Sequence, residues 1–329
     1  MRVFIQDGLS LYYRSHGNGE PVLLIHGLGG SGVDWGLQVL ALERRFRVIV
    51  PDLPGCGSSS APRGRHSIES FARALWSLLD RLEVPQINIV GFSMGGAVAL
   101  EMALQRPSLV PRLALINSLA TYRDQWRKWI FARCSGALIR LFGMRRAARM
   151  FAAGLFPDPW QSRFRDRAAA AVASVPASSY LSMSRALEQW EATDRLHRIK
   201  SRTLVIAAEH DHTPLAEKRA LAAQLGASMV VVDGSRHGTP FDASEATNCS
   251  LLGLLTDQPL LPYERLACDP PTRAQVGFLG IRSRVLEMSD NGADTCGRQS
   301  GEVGYLGAAP VEAWELMPQP TAADIRRHL

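Results

Sequence analysis

Ile89-Val90-Gly91-Phe92-Ser93-Met94-Gly95-Gly96 turns from an apolar strand into an apolar helix around a single serine. Ile87, Ile89 and Val90 are β-branched and favour a buried strand, whereas Ala97, Val98, Ala99, Leu100 and Met102 favour a packed helix. Between them Gly91, Ser93 and Gly95 fit the Gly-x-Ser-x-Gly strand–turn–helix pattern that lifts a serine hydroxyl to the end of a sheet. Glycines on both sides permit a strained backbone at the serine and a helix passing close over the strand. The first amides of that helix, with the positive end of its dipole, suit a developing oxyanion.

Working outward, Pro21-Val22-Leu23-Leu24-Ile25 reads as a second buried strand running into His26-Gly27-Leu28-Gly29-Gly30. A glycine-rich loop in that place can aim a backbone N–H at the same oxyanion, so Leu28 and Met94 are the expected amide donors. A phosphate-cradling loop is the rival reading, but no Lys-Ser/Thr follows and the Gly-x-Gly-x-x-Gly spacing is absent. Downstream, strand 203–208 ends in Glu209-His210-Asp211-His212-Thr213-Pro214, and strand 229–233 ends in Asp233-Gly234-Ser235-Arg236-His237-Gly238. Open parallel sheets bind ligands at such carboxyl ends. A serine hydroxyl needs an imidazole to take its proton, and the imidazole needs a carboxylate to fix its tautomer. His237 is the expected base and Asp211 its carboxylate, with Glu209 and Asp233 as rivals. His210 and His212, flanking Asp211, resemble a metal cluster but lack an obvious third ligand, so no metal is expected.

Together, His26-Gly27-Leu28-Gly29-Gly30, Pro51-Asp52-Leu53-Pro54-Gly55-Cys56-Gly57-Ser58-Ser59, Gly91-Phe92-Ser93-Met94-Gly95-Gly96, Asp211 and His237 resemble the α/β-hydrolase fold superfamily over about residues 1–256. The resemblance implies a mostly parallel sheet flanked by helices, with a helical cap. Members commonly carry histidine where this chain has Cys56, at a position that is structural in most of them. The expected domains are a first core segment 1–118, a cap 119–200, a second core segment 201–257 and a C-terminal extension 258–329 of unassigned role. Alternation of strands and helices independently argues for a parallel sheet covered on both faces.

Composition fits an ordinary folded enzyme: 329 residues, 46% hydrophobic and 21% charged. The sequence shows no signal-peptide-like start and no apolar run of membrane-spanning length, so a cytoplasmic location is expected. Five irregularly spaced cysteines fit reduced thiols. Residues 120–200 hold 15 Arg and Lys against 6 Asp and Glu, a net +9. Trp126, Trp129, Ile130, Arg133, Ala137, Leu138, Leu141 and Phe142 fall near helical spacing, which predicts one buried face. Trp126, Trp129 and Ile130 are candidate substrate contacts. A basic amphipathic helix also suits a lipid surface, whereas no motif for nucleic acid accompanies the charge. The segment after Asp257, rich in proline and glycine, predicts an extended appendage.

The expected chemistry is ester hydrolysis through an acyl-enzyme on Ser93, acting on a small-molecule substrate without metal or organic cofactor. Relatives with Asp at the nucleophile position (dehalogenases, epoxide hydrolases) differ at Ser93. Meta-cleavage C–C hydrolases resemble the Ser-Met-Gly-Gly run but typically carry Trp where Gly238 stands. Cofactor-free haloperoxidases and perhydrolases often show His-Gly there. Acyl transfer and lipase action share the same intermediate. A non-catalytic binding module on this fold is the alternative of another class, and such modules usually lack a member of the Ser, Asp, His set. Acyl and alcohol specificity and oligomeric state stay open.

Overall fold

The computed structural model describes residues 2–267 except 7, 63, 124 and 125, with side chains throughout that span except at 2, 6 and 126–135. Its strands form one sheet: β1 (Arg2–Gln6), β2 (Leu9–His16), β3 (Glu20–Ile25), β4 (Phe46–Pro51), β5 (Asn88–Phe92), β6 (Arg112–Ile116), β7 (Arg202–Ala208), β8 (Ser228–Asp233) and β9 (Tyr263–Ala267). The spatial order is β1-β2-β4-β3-β5-β6-β7-β8-β9. β1 pairs antiparallel with β2 and β2 with β4, and every later pairing is parallel. The central strands are continuous apolar runs because helices cover both faces: Leu23, Leu24, Val90, Leu113, Leu115, Val205 and Val231 are each fully buried.

Helices α1 (Gly36–Leu42), α2 (Ile68–Arg81) and α3 (Met94–Gln105) accompany the first half of the sheet. Ser67 caps α2 by accepting the Ser70 N–H at 3.0 Å, a contact that contributes about 1 kcal/mol. Helices α4 (Trp126–Leu155), α5 (Ser162–Ser174) and α6 (Ala177–Gln189) are inserted between β6 and β7, and α7 (Leu215–Leu225), α8 (Thr239–Asp242) and α9 (Ser244–Leu255) complete the chain order. A bridge between Thr121 and Glu191 joins the two ends of the insertion. The indole of Trp190 and the guanidinium of Arg195 both reach the carboxylate of Glu101, each at 3.1 Å, which ties the end of the insertion to α3. No described helix is long and apolar enough to cross a membrane.

α1 is preceded by a 3-10 turn, Gly32–Trp35, and α8 and α9 are separated at Ala243. Two sequence expectations need correction. In α4 the buried line runs through Gly136, Ile139, Ala147, Ala148 and Ala152, while Ala137 is exposed, Leu141 is 75% exposed and Phe142 50%. Gly143 at φ +75°, ψ 162° breaks the helix there, so periodicity cannot be continued across it. The segment expected as a mere extension supplies the edge strand β9, held by Arg265 to Glu209 at 2.6 Å and to Asp233. Charged side chains on so short a strand blunt an edge. Residues 268–329 of that expected extension lie outside the described residues.

Candidate active site

The elbow is built by close approach. A Cβ on Gly91 would lie 2.4 Å from the Gly95 carbonyl oxygen, and one on Gly95 would lie 2.2 Å from that of Ile25. Only with both side chains absent does α3 pack down on β5 and β3. Ser93, between strand and helix, sits at φ +55° and ψ −120°, a region that strains any residue with a Cβ. Its N–H bonds the Ile116 carbonyl at 2.9 Å and its own carbonyl accepts the Gly96 N–H at 2.9 Å, so both neighbouring elements hold the turn.

The strand ends bring Ser93, His237 and Asp211 together. His237 Nε2 lies 2.9 Å from Ser93 Oγ, and His237 Nδ1 lies 2.7 Å from Asp211 Oδ1. A carboxylate only accepts, so Nδ1 carries the proton and Nε2 is left to accept from the serine hydroxyl. His237 is 9% exposed, and the Asp211 carboxylate is fully buried. Burial alone would raise Asp211's pKa, but the charge and hydrogen bond of His237, with Lys218 and His212, hold it well below the usual carboxylate range. The rivals are engaged elsewhere: Glu209 accepts the Gly234 N–H at 3.0 Å and pairs with Arg265, which also holds Asp233.

His210 pairs with Glu209 at 3.7 Å and stays apart from this cluster. The His212 ring packs on His237, with centroids 4.2 Å apart, and its Nδ1 is 3.1 Å from Asp211 Oδ1. Donor atoms of Asp211, His212 and His237 lie within 4.8 Å of one another. That spacing would admit an ion only if the His237–Asp211 hydrogen bond were given up.

Leu28 follows β3 and Met94 begins α3, on either side of the serine. Among the described residues neither amide donates to a protein acceptor. His26 is an internal brace: its Nε2 accepts the Leu53 N–H at 3.0 Å and its Nδ1–H donates to the Gly27 carbonyl at 2.8 Å. Cys56 is buried with Sγ 3.6 Å from Met183 Sδ, a packing role.

Two polar residues that sequence reasoning passed over support the cluster. Asn117, fully buried at φ +48° just beyond β6, donates to the His237 carbonyl at 2.8 Å and to Thr239 Oγ1 at 2.7 Å. Its Oδ1 accepts the Ala208 N–H at 2.8 Å. Lys218 on α7 is fully buried and donates to Asp211 Oδ2. The available signals were an asparagine closing the apolar run of β6, and a lysine in register with Leu215 and Leu221. The insertion touches the loops flanking Ser93: Val172 and Tyr180 press on Gly29, and Phe156 on Gly238. Phe92, Phe156, Phe164 and Phe241 form a chain of ring contacts beside His237. The side chains of Trp126, Trp129 and Ile130 lie outside the described residues.

Comparison with known proteins fits this architecture. The family profile of the alpha/beta hydrolase fold matches residues 20–244. An uncharacterized protein of Mycobacterium tuberculosis (strain H37Rv) is 40% identical over 112 residues, 34% of this chain and 33% of that protein. This chain thus spans about a third of the length of the first curated relatives it matches. A Pseudomonas syringae protein provisionally named carbamate hydrolase RutD is 31% identical over 255 residues, 74% of this chain and 96% of that one. Among solved structures, an enol-lactonase from Burkholderia xenovorans LB400 superposes with TM-score 0.71 at 27% identity, over 78% of this chain and 100% of its own. The profile match covers more than half of the sequence and the sheet order agrees with it: the chain belongs to the α/β-hydrolase fold family.

Proposed function

We propose that this protein is a serine hydrolase that cleaves carboxylic esters through an acyl-enzyme. The observation that carries it is the unbroken hydrogen-bond line from Ser93 Oγ through His237 to Asp211, ending at a strained elbow. Ser93 Oγ attacks the ester carbonyl while His237 Nε2 takes its proton, and Asp211 holds the imidazole and stabilises the imidazolium. The Leu28 and Met94 amides receive the tetrahedral oxygen, each worth on the order of 100- to 1000-fold in rate. His237 then protonates the leaving alcohol and draws a proton from water, which releases the acid and restores Ser93.

The insertion, acting as the cap, meets the loops on both sides of Ser93 with Val172, Tyr180 and Phe156, and Phe92 packs beside the base. Apolar and aromatic surroundings favour an uncharged acyl group. The enol-lactonase likeness supports an ester substrate. A carbamate is a second reading, favoured by the relative of that name at 31% identity, since the same serine attack applies to its carbonyl.

A fluorophosphonate probe tests the chemistry: labelling of wild type and none of Ser93→Ala is expected, and absence of labelling in the folded wild type would overturn it. Hydrolysis of p-nitrophenyl esters from acetyl to palmitoyl, with a phenyl carbamate alongside, then separates the substrate classes. Turnover of the carbamate alone would displace the ester reading.

A further inference from the structure

Of the 37 Lys and Arg residues in this chain only Lys128, Lys200 and Lys218 are lysines, and Lys218 is fully buried. An ammonium has three N–H groups, and here three acceptors surround it. Asp211 Oδ2 receives one, Asn117 Oδ1 lies at 3.3 Å and the Thr213 carbonyl at 3.3 Å. Asp211 Oδ2 also accepts the Thr213 hydroxyl, while Oδ1 faces His237. The carboxylate is therefore held from behind by a cation and from the front by the imidazole.

We infer that Lys218 is a positioning residue whose ammonium, sealed behind Asp211, offsets the carboxylate's charge and keeps His237 in its base form to lower pH. The inference rests on the serine-hydrolase reading. An unaccompanied Asp⁻ would favour the imidazolium, whereas a Lys⁺–Asp⁻ pair presents His237 with a dipole. Burial pulls the lysine's pKa down, and the Asp211 charge and hydrogen bond oppose that shift.

The other groups facing the pair are few. His212 lies on the Asp211 loop, Glu217 precedes Lys218 on α7, Arg236 precedes His237, and Asp242 on α8 takes the Ser235 hydroxyl at 2.7 Å. Tyr122, with its pKa pushed up to about 12 by burial, stays neutral. None of these takes the place of Lys218 at Asp211 Oδ2.

The test uses the full chain and the rate of fluorophosphonate labelling of Ser93 as a function of pH. A charge about 6–7 Å from an imidazole, at the effective dielectric of protein interiors, moves its titration by about two units. Lys218→Met retains the stem without the charge and should move the acid limb of labelling upward by about two pH units. Lys218→Gln retains an N–H for Asp211 and should do the same, and it serves alone should the methionine variant not fold. Lys218→Arg, which preserves the charge, should leave the limb where it is. A folded neutral variant with the wild-type limb overturns the proposal and leaves Lys218 a structural anchor. Independently, ¹⁵N-lysine NMR of the wild type, with three lysines to resolve, should show a charged Nζ for Lys218 at pH 7, and a neutral amine there overturns it as well. That signal is read without any reaction, so a wild type that fails to label refutes the hydrolase reading and is told apart from failure at Lys218.

Discussion

Asn117→Ala should destabilise the protein and slow Ser93 chemistry together. The asparagine is fully buried and joins three segments: it donates to the His237 carbonyl at 2.8 Å and to Thr239 Oγ1 at 2.7 Å, and accepts the Ala208 N–H at 2.8 Å. Thr239 retains its bond to the Arg236 carbonyl, but the Ala208 amide and the His237 carbonyl lose this partner. A buried polar group left unsatisfied costs about 1–3 kcal/mol. Alanine at φ +48° adds about 1 kcal/mol. The sum is about 3–7 kcal/mol, with the lower end reached if water enters the space. Against a typical total of about 5–15 kcal/mol, the folded state should persist at 25 °C. Urea unfolding measures the loss, and the fluorophosphonate rate on the folded variant should fall at least about tenfold, equivalent to about 1.4 kcal/mol of misplacement at His237. Asn117→Gly removes the backbone strain and isolates the hydrogen-bond contribution. A loss under about 1 kcal/mol with an unchanged labelling rate would refute the reasoning, because the His237 loop would then be held without Asn117.

Ser93→Gly should abolish labelling yet raise stability by about 1 kcal/mol in thermal melts, because glycine accepts the elbow's positive φ; a fall in stability would argue against strain there. Gly95→Ala should destabilise by about 3 kcal/mol or more in urea, since the new Cβ meets backbone 2.2 Å away rather than a yielding side chain. Burial pushes the Cys56 thiol well above its ordinary range, so a disulfide reagent at pH 8 should modify it only on unfolding; fast reaction in the native protein would contradict that burial. Asp211 titrates lower in the folded protein than in the unfolded chain, so its contribution is complete above about pH 4 and is lost as pH falls toward its folded value. Asp211→Asn should therefore flatten the pH dependence of stability below about pH 4. It should also lower stability at pH 7 by about 3–5 kcal/mol, because Lys218 is left buried without its counter-ion; equal acid slopes in the two proteins would refute the assignment.

The strands β3 to β8 and the elbow were legible because buried parallel strands are short apolar runs and close backbone approach demands glycine. Ser93, His237 and Asp211 stood out for a related reason, each lying just past such a run. The choice among carboxylates was harder. Glu209 and Asp233 are tied up by Arg265, and Arg265 lies on β9, a five-residue strand without strong apolar alternation. No pattern in the sequence reports that strand, so the partner that engages both rivals was hidden. The face of α4 was not legible for another reason: before the break at Gly143 the helix buries Gly136 and Ile139 and exposes Ala137, Leu141 and Phe142, and apolar spacing alone does not report which side of a helix meets the core. Lys218 escaped notice because a lysine among surface-type neighbours on α7 reads as solvated, and its acceptors come from Asn117, Asp211 and Thr213.

These particulars bear on how the scaffold holds a strained serine beside an imidazole. The strain at Ser93 persists because β5, α3 and the Ile116 carbonyl over-determine the turn. On the other side of the site the difficulty is electrostatic. A carboxylate without exposure must remain charged, and here three donors meet its two oxygens: His237 at Oδ1, Lys218 and Thr213 at Oδ2, with His212 Nδ1 3.1 Å from Oδ1. Held on both oxygens, Asp211 is fixed in orientation, and the imidazole bonded to it inherits that rigidity. The insertion contributes to neither device. It meets the two flanking loops at glycines, Gly29 and Gly238, where the backbone leaves room for Tyr180 and Phe156. The hydrogen-bond line from Ser93 to Asp211 thus lies in the ends of the strands, so substitutions in α5 and α6 that alter the contacts at Gly29 should leave that line intact.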